Sequence, residues 1–368
     1  MLCLDEESSN SLSCIALSSL RSQKYVLCLD VVQIICDFCD LKTQIKLIQS
    51  CKEYDEYLKI KKLTCTNTIN PQITQTILQQ KKFNQLQKLN VFSNEKIKDV
   101  NHLANAIIEL DCRSDCGIDQ KGIKDLQKLQ KLNASNNEKI KDVNHLASTL
   151  IVLKCVGNCG IDQEGIKDLQ KLLKLYASEN EKITDVNHLQ NTLIELSCSD
   201  DCGIDQKGIS NLKVLQRLIA CNNKKIKDVN HLANTLIELD CFGYCGINQK
   251  GIKYLQKLQK LHSSYNEKIK DVNHLSNTLI ELYCANNCGI DQKGIDQEGI
   301  KYLRKLQKLY AYDNEKIKDV NHLANTLIEL DCSGICGIDQ EGIKDLQKLQ
   351  KLNAWCNKKI KNTIITKK

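Results

Sequence analysis

Leu89, Leu132, Leu175, Leu218 and Leu261 stand 43 residues apart, and the text around each is nearly the same. Leu309 follows after 48 residues, and Leu352 after a further 43. The five extra residues come from a tandem duplication, KGIDQEGI at Lys293–Ile300. A repeat of this period constrains the fold more than composition does. Equal segments make equal contacts, so each is a layer of a stack, and no layer can bury its apolar residues alone.

Each unit divides into two rungs of about 21 and 22 residues. The first kind places apolar or small residues at positions 1, 4 and 6 and asparagine at 9, as in Leu129, Leu132, Ala134 and Asn137. The second kind has Leu150, Leu153 and Cys155, then Cys159 at position 10, one residue later than the asparagine. Thirteen rungs start at Leu86, Ile107, Leu129, Leu150, Leu172, Leu193, Leu215, Leu236, Leu258, Leu279, Leu306, Leu327 and Leu349. Alternation around Leu153 and Cys155 has the period of a strand with one buried face. The segments GIKDLQK and IKDVNHL space their apolar residues by three, which predicts helical or 3-10 turns.

The pattern L-x-x-L-x-L-x-x-N/C resembles that of the leucine-rich-repeat family over residues 86–368. The resemblance implies an α/β repeat solenoid, a right-handed horseshoe with short parallel concave strands and short helical or 3-10 outer turns. At strand spacing, thirteen rungs extend roughly 60 Å along the strand side. Asn94, Asn137, Asn180, Asn223, Asn266, Asn314 and Asn357 are expected to turn inward and satisfy backbone groups at the corner.

The chain has 21 cysteines, and most of them follow the repeat. C-x₃-C pairs such as Cys112 with Cys116 and Cys155 with Cys159 suggest metal or redox chemistry. Position 6 is a core position, however, filled by alanine in alternate rungs, and free cysteine packs well in apolar interiors. Equivalent cysteines lie two rungs apart, roughly 10 Å, beyond the reach of a disulfide. No metal site and no cofactor are expected. The histidines of VNHL (His102, His145, His188, His231, His274, His322) are likewise too widely separated to share a ligand. Asp119, Asp162 and Asp205, with Asn248 at the same place, read as caps of outer turns. An enzyme needs one unrepeated cluster, and none is present.

Recognition must therefore lie where the repeat breaks. Position 3 alternates in charge from Lys88 and Glu109 to Glu329 and Lys351, apart from Val152, and reads as a self-neutralising ladder. Positions 5 and 7 share its face but do not repeat. They include Phe92, Arg113, Tyr176, Ile219, Phe242, His262, Tyr283, Tyr310, Tyr312 and Trp355, beside a small patch of Val152, Lys154 and Val156. Exposed aromatic residues anchor protein contacts, so Phe242, His262, Tyr283, Tyr310, Tyr312 and Trp355 are the expected protein-binding residues. Interleaved basic and acidic residues give a net charge of only +7, which argues against nucleic acid.

The first 85 residues lack the repeat. Residues 1–24 read as a disordered tail, 25–60 as a helical segment or cap, and 61–85 as an irregular first rung with Ile60, Leu63 and Cys65. A helix is expected after Pro71, with the proline in its first turn. Val31, Ile34, Ile35 and Phe38 fit one helical face, and Ile45, Ile48 and Cys51 another. Residues 27–57 also resemble an F-box, whose family docks on a Skp1-type adaptor of a ubiquitin ligase. The resemblance assigns that docking to Leu27, Asp30, Ile35, Ile45, Leu47, Cys51 and Tyr54. Cys28 stands where the family usually has proline, and Cys39 where it has leucine.

The start lacks a signal-peptide pattern and no stretch approaches a membrane span, so an intracellular, reducing compartment (cytoplasmic or nuclear) is expected. The resulting expectation is a non-enzymatic scaffold that holds a polypeptide on its concave face and serves as a ubiquitin-ligase substrate adaptor. The alternative is a structural or self-associating array, since IITKK offers no evident cap and would leave the last strand edge open for homo-association.

Overall fold

The computed structural model describes residues 28–285 and 294–361, with the backbone of 364–366. The expected tail over residues 1–24, and Leu27 and Cys288, lie outside the described residues. Two compact units, Met1–Leu129 and Gln130–Lys368, are taken in turn.

In the first unit, three short helices precede the strands: α1 (Leu29–Phe38), α2 (Leu41–Ile48) and α3 (Lys52–Tyr57). Asp40 caps α2 by accepting from the Thr43 N–H at 2.6 Å. The apolar face expected on α1 points outward. Val32 and Cys36 are buried, whereas Val31, Ile34 and Phe38 are exposed, Phe38 by 89%. Buried Gln33 explains the rotation. Its amide donates to Lys59 O at 3.1 Å and accepts from Lys59 N at 2.9 Å, so the polar residue fixes which side of the helix faces inward.

Strand β1 (Lys62–Thr64), helix α4 (Gln75–Leu78), and strands β2 (Lys88–Asn90) and β3 (Glu109–Asp111) follow. The three strands are parallel, with Leu63 beside Leu89 and Leu89 beside Leu110. Phe83, Ile48, Leu58, Ile60 and Leu78 are fully buried in this unit. Pro71 is not in the first turn of α4. The helix begins at Gln75 after Thr74, and the proline lies in the turn that follows Asn70, whose backbone is left-handed.

The second unit opens with β4 (Lys131–Asn133), β5 (Val152–Lys154), β6 (Lys174–Tyr176), β7 (Glu195–Ser197), β8 (Arg217–Ile219) and β9 (Glu238–Asp240). It continues with β10 (Lys260–His262), β11 (Glu281–Tyr283), helix α5 (Gln297–Ile300), β12 (Lys308–Tyr310), β13 (Glu329–Asp331), β14 (Lys351–Asn353) and β15 (Ile364–Thr366). From β4 to β14 the pairing is parallel and in register, leucine beside leucine. Two kinds of 3-10 turn alternate between strands, represented by Asn144–Leu146 and Glu164–Ile166.

Short turns suit these segments because side chains replace the hydrogen bonds a longer helix would supply. Asp162 accepts from the Gly165 N–H at 3.0 Å, and Asp205 from the Gly208 N–H at 3.0 Å. Gly165 must be glycine. A Cβ there would sit 2.1 Å from the Lys141 carbonyl of the previous rung.

The corner asparagines hold one rung to the next. Asn180 donates to Cys155 O at 3.0 Å and to Ile161 O at 3.1 Å, and accepts from Lys182 N at 3.0 Å. Asn223, Asn266, Asn314 and Asn357 repeat the arrangement. In the duplicated region the second copy takes the core place. Ile295 and Ile300 are buried, Asp296 caps Gly299 at 2.9 Å, and Asn314 reaches Ile295 O.

The last rung is followed by a strand that the repeat does not announce, so the edge of the sheet is not β14. Strand β15 runs antiparallel beside β14, placing Ile365 opposite Leu352. The backbone of Lys351–Asn353 is therefore paired, and Ile364–Thr366 forms the last strand of the sheet.

Candidate protein-binding face

Along each three-residue strand the middle leucine points into the core, which turns its neighbours at positions 3 and 5 to the opposite side. Position 3 forms the expected ladder. Lys174 meets Glu195 at 2.9 Å, Arg217 lies between Glu195 at 2.5 Å and Glu238 at 2.9 Å, and Lys260 bridges Glu238 and Glu281 at 3.5 and 3.2 Å. Glu195 is only 5% exposed and also accepts from the Tyr176 hydroxyl at 2.9 Å. Burial opposes its ionisation, but Lys174, Tyr176 and Arg217 outweigh that, and the carboxyl stays below its ordinary value. In the first unit, Lys88 and Glu109 pair at 3.0 Å. Each of these ladder cations meets at least one glutamate.

The aromatic residues at positions 5 and 7 behave differently, because they gather. Tyr283 and Tyr310 stack with centroids 4.2 Å apart and planes 7° apart, as their register on β11 and β12 dictates. His262 packs on Tyr283 at 4.9 Å and on Phe242 at 5.3 Å. Five of the six expected residues (Phe242, His262, Tyr283, Tyr310 and Tyr312) thus join one strip of half-exposed rings across β9–β12. Trp355 lies two strands beyond Tyr312, on the rung of β14, and is 70% exposed.

A further member, Tyr265, completes the strip. Its ring meets Phe242 at 5.3 Å and Tyr312 at 6.5 Å, and the two tyrosine hydroxyls lie 3.1 Å apart. Tyr265 occupies position 8, where the chain turns away from the sheet with φ of 61°. Alternation does not govern a left-handed residue, so the period-two reading passes over it. The available signal was its type. Ser93, Asn136, Glu179, Asn222, Asp313 and Cys356 fill the equivalent places.

Hydrogen bonds fix the ring orientations. Tyr283 donates to Glu281 at 2.6 Å, and His262 Nδ1 lies 3.2 Å from Asp240. Burial first, then Glu281, raises the Tyr283 phenol, and burial with Tyr265 raises that of Tyr312, so both remain protonated donors at neutral pH. Asp240 is held below its ordinary value, since bonds from His262 and Cys221 and from the Phe242 N–H outweigh the cost of burial.

No protein-family model matches the chain. No curated protein matches it either. Solved structures do. An internalin (inlF) from Listeria monocytogenes superposes with a TM-score of 0.56 at 22% identity, covering 79% of this chain and 85% of that one. The chain carries the leucine-rich-repeat fold. The functional domain of InlJ from the same organism, which includes a cysteine ladder, matches at 18% identity over 80% of this chain and 72% of its own, with a TM-score of 0.43. The Rad7 and Elc1 complex in yeast matches at 14% identity over 98% and 96%, with a TM-score of 0.45. These two looser overlays add nothing to the assignment.

Within this leucine-rich-repeat fold the repeated cysteines and histidines are scaffold. Cys155 and Cys198 are fully buried, and burial pushes both thiols far up, while Cys159 and Cys202 rise to about 11. Such thiols carry almost no thiolate at neutral pH, so they pack rather than react. His188, His231, His274 and His322 each place Nε2 3.0–3.1 Å from a carbonyl of the preceding rung.

The adaptor-docking residues of the first unit are divided between surface and core. Leu47 is buried, Ile35, Ile45 and Tyr54 are half-buried, and Asp30 and Cys51 are exposed. Asp30 accepts from the Tyr57 hydroxyl, joining α1 to α3.

Proposed function

We propose that this leucine-rich-repeat chain is a non-enzymatic protein-interaction scaffold whose strand face holds another polypeptide. The observation that carries the reading is the contiguous strip of Phe242, His262, Tyr265, Tyr283, Tyr310 and Tyr312. These aromatic residues are not required by the repeat, yet they meet on one face, and large rigid rings supply contact area at little entropic cost. Trp355 extends the same face. The test is affinity capture from native lysate with the full chain and with Tyr310→Ala/Tyr312→Ala. The reading expects named partners to be lost from the variant, and an unchanged partner set removes the strip from the binding site.

The finer form of the proposal is a substrate adaptor in ubiquitin transfer, acting in a reducing cytoplasmic or nuclear compartment. Support comes from the F-box-like residues and from the outward apolar face of α1, where no described residue covers Val31, Ile34 and Phe38. A Skp1-type partner would bury that face. Ile34→Asp/Phe38→Asp in the full chain should abolish capture of a Skp1-type protein. If the unaltered chain fails to capture one, the adaptor form falls while the scaffold reading stands.

A further inference from the structure

The aromatic strip has charged ends. Row 5 runs Asp240, His262, Tyr283, Tyr310, Asp331 over β9–β13, so a carboxylate bounds the rings on each side. Asp313, at position 8 after β12, adds a third. Rows 5, 7 and 8 of these rungs contain no lysine or arginine. The lysines at position 3 do not offset the three aspartates, because their charge is matched by ladder glutamates. Lys308 meets Glu281 at 3.5 Å and Lys351 meets Glu329 at 3.6 Å. A chain of net charge +7 thus carries a locally acidic, aromatic recognition face.

One ring of the strip already takes a cation, and a strand-face tyrosine outside it does the same. The Lys260 ammonium sits 5.6 Å from the Tyr283 ring centre, and Lys154 sits 5.2 Å from that of Tyr176. Extending the strand-face reading above, on which this inference rests, we propose that the strip binds a basic polypeptide segment. Its arginine or lysine side chains lie across the tyrosine rings and end at Asp240 and Asp331. Four strand spacings separate these two carboxylates, roughly 19 Å, which an extended peptide spans in about six residues. An acidic peptide or a nucleic acid would bring its own negative charge against three carboxylates, and desolvating the rings would not remove that repulsion.

The experiment is selection from a randomised peptide display library on the immobilised full chain, with Asp240→Asn/Asp331→Asn and Tyr310→Ala/Tyr312→Ala as parallel baits. Asparagine retains the acceptor that Asp240 offers the Phe242 N–H and Asp331 offers the Ser333 N–H while the charge is removed, and thermal melting of each bait checks the contacts of the second carboxylate oxygen with His262 and Asn353. The expected outcome is enrichment of peptides with two basic residues about six positions apart. Their affinity should fall about tenfold in the asparagine variant, the size of two exposed ion pairs, and should weaken with added salt. Enriched peptides that are neutral or acidic yet need Tyr310 and Tyr312 would overturn the basic-segment inference and leave the strand-face reading intact. Failure to enrich any peptide that depends on those tyrosines would refute both.

Discussion

Replacing Asn223 by alanine tests what holds the rungs together. Its side chain is 1% exposed, donates to Cys198 O at 2.7 Å and Ile204 O at 3.2 Å, and accepts from Lys225 N at 2.9 Å and Ile226 N at 3.3 Å. Alanine strands two carbonyls and at least one N–H where water has little access. At about 1–3 kcal/mol per unsatisfied group, with allowance for relaxation, the loss should be about 3–5 kcal/mol. Repeat arrays open locally, so hydrogen exchange of peptides spanning residues 196–226 is the informative assay, with the urea midpoint beside it. Exchange there should accelerate by roughly two to four orders of magnitude. Asn223→Asp sharpens the test. The new carboxylate faces two carbonyls, so its folded pKa is raised, and the penalty relative to wild type should be largest at neutral pH and shrink as pH falls toward about 4. Unchanged exchange in Asn223→Ala, or a penalty for Asn223→Asp that is independent of pH, would refute the argument.

Further predictions follow from other contacts. Gly251→Ala should destabilise by about 1–3 kcal/mol, because the new Cβ would lie 2.1 Å from Lys227 O, and thermal melting should show it. Glu195→Lys should lower the melting temperature and flatten its acid dependence. The depressed Glu195 pKa contributes stability above the unfolded carboxylate value that is lost as pH falls through the folded one. The outer-turn histidines act in a higher range. Burial lowers His188, His231, His274 and His322 below 6.5, so the unfolded chain binds more protons as pH drops under that value. Stability should be whole above about pH 6.5 and decline below it. Each ring keeps solvent contact, so the effect per site is modest, and replacing all four with glutamine should reduce the slope between about pH 7.5 and 5.5.

The strands were legible from the sequence because one leucine in each recurs at a fixed interval, and parallel stacking forces leucine against leucine. The corner asparagines and the Lys/Glu ladder were legible for the same reason. Residues whose environment does not follow from periodicity were not. Helix α1 has an apolar face that alone would be read as core, yet Gln33 turns it outward by bonding to Lys59. Tyr265 joins the aromatic strip through a left-handed backbone rather than through alternation. Strand β15 reverses direction to cover β14, which no copy of the repeat does. Each depends on one contact distant in sequence and absent from the pattern.

The asparagine bonds also set how such a gene can change length. Asn180 reaches back to Cys155 and Ile161, and Asn223 to Cys198 and Ile204, so in each case an asparagine rung fastens the cysteine rung before it. Losing a single rung would leave a corner without its amide and would set Lys beside Lys or Glu beside Glu in the ladder. Losing or gaining 43 residues preserves both. Length change is therefore expected to be tolerated in steps of two rungs rather than one.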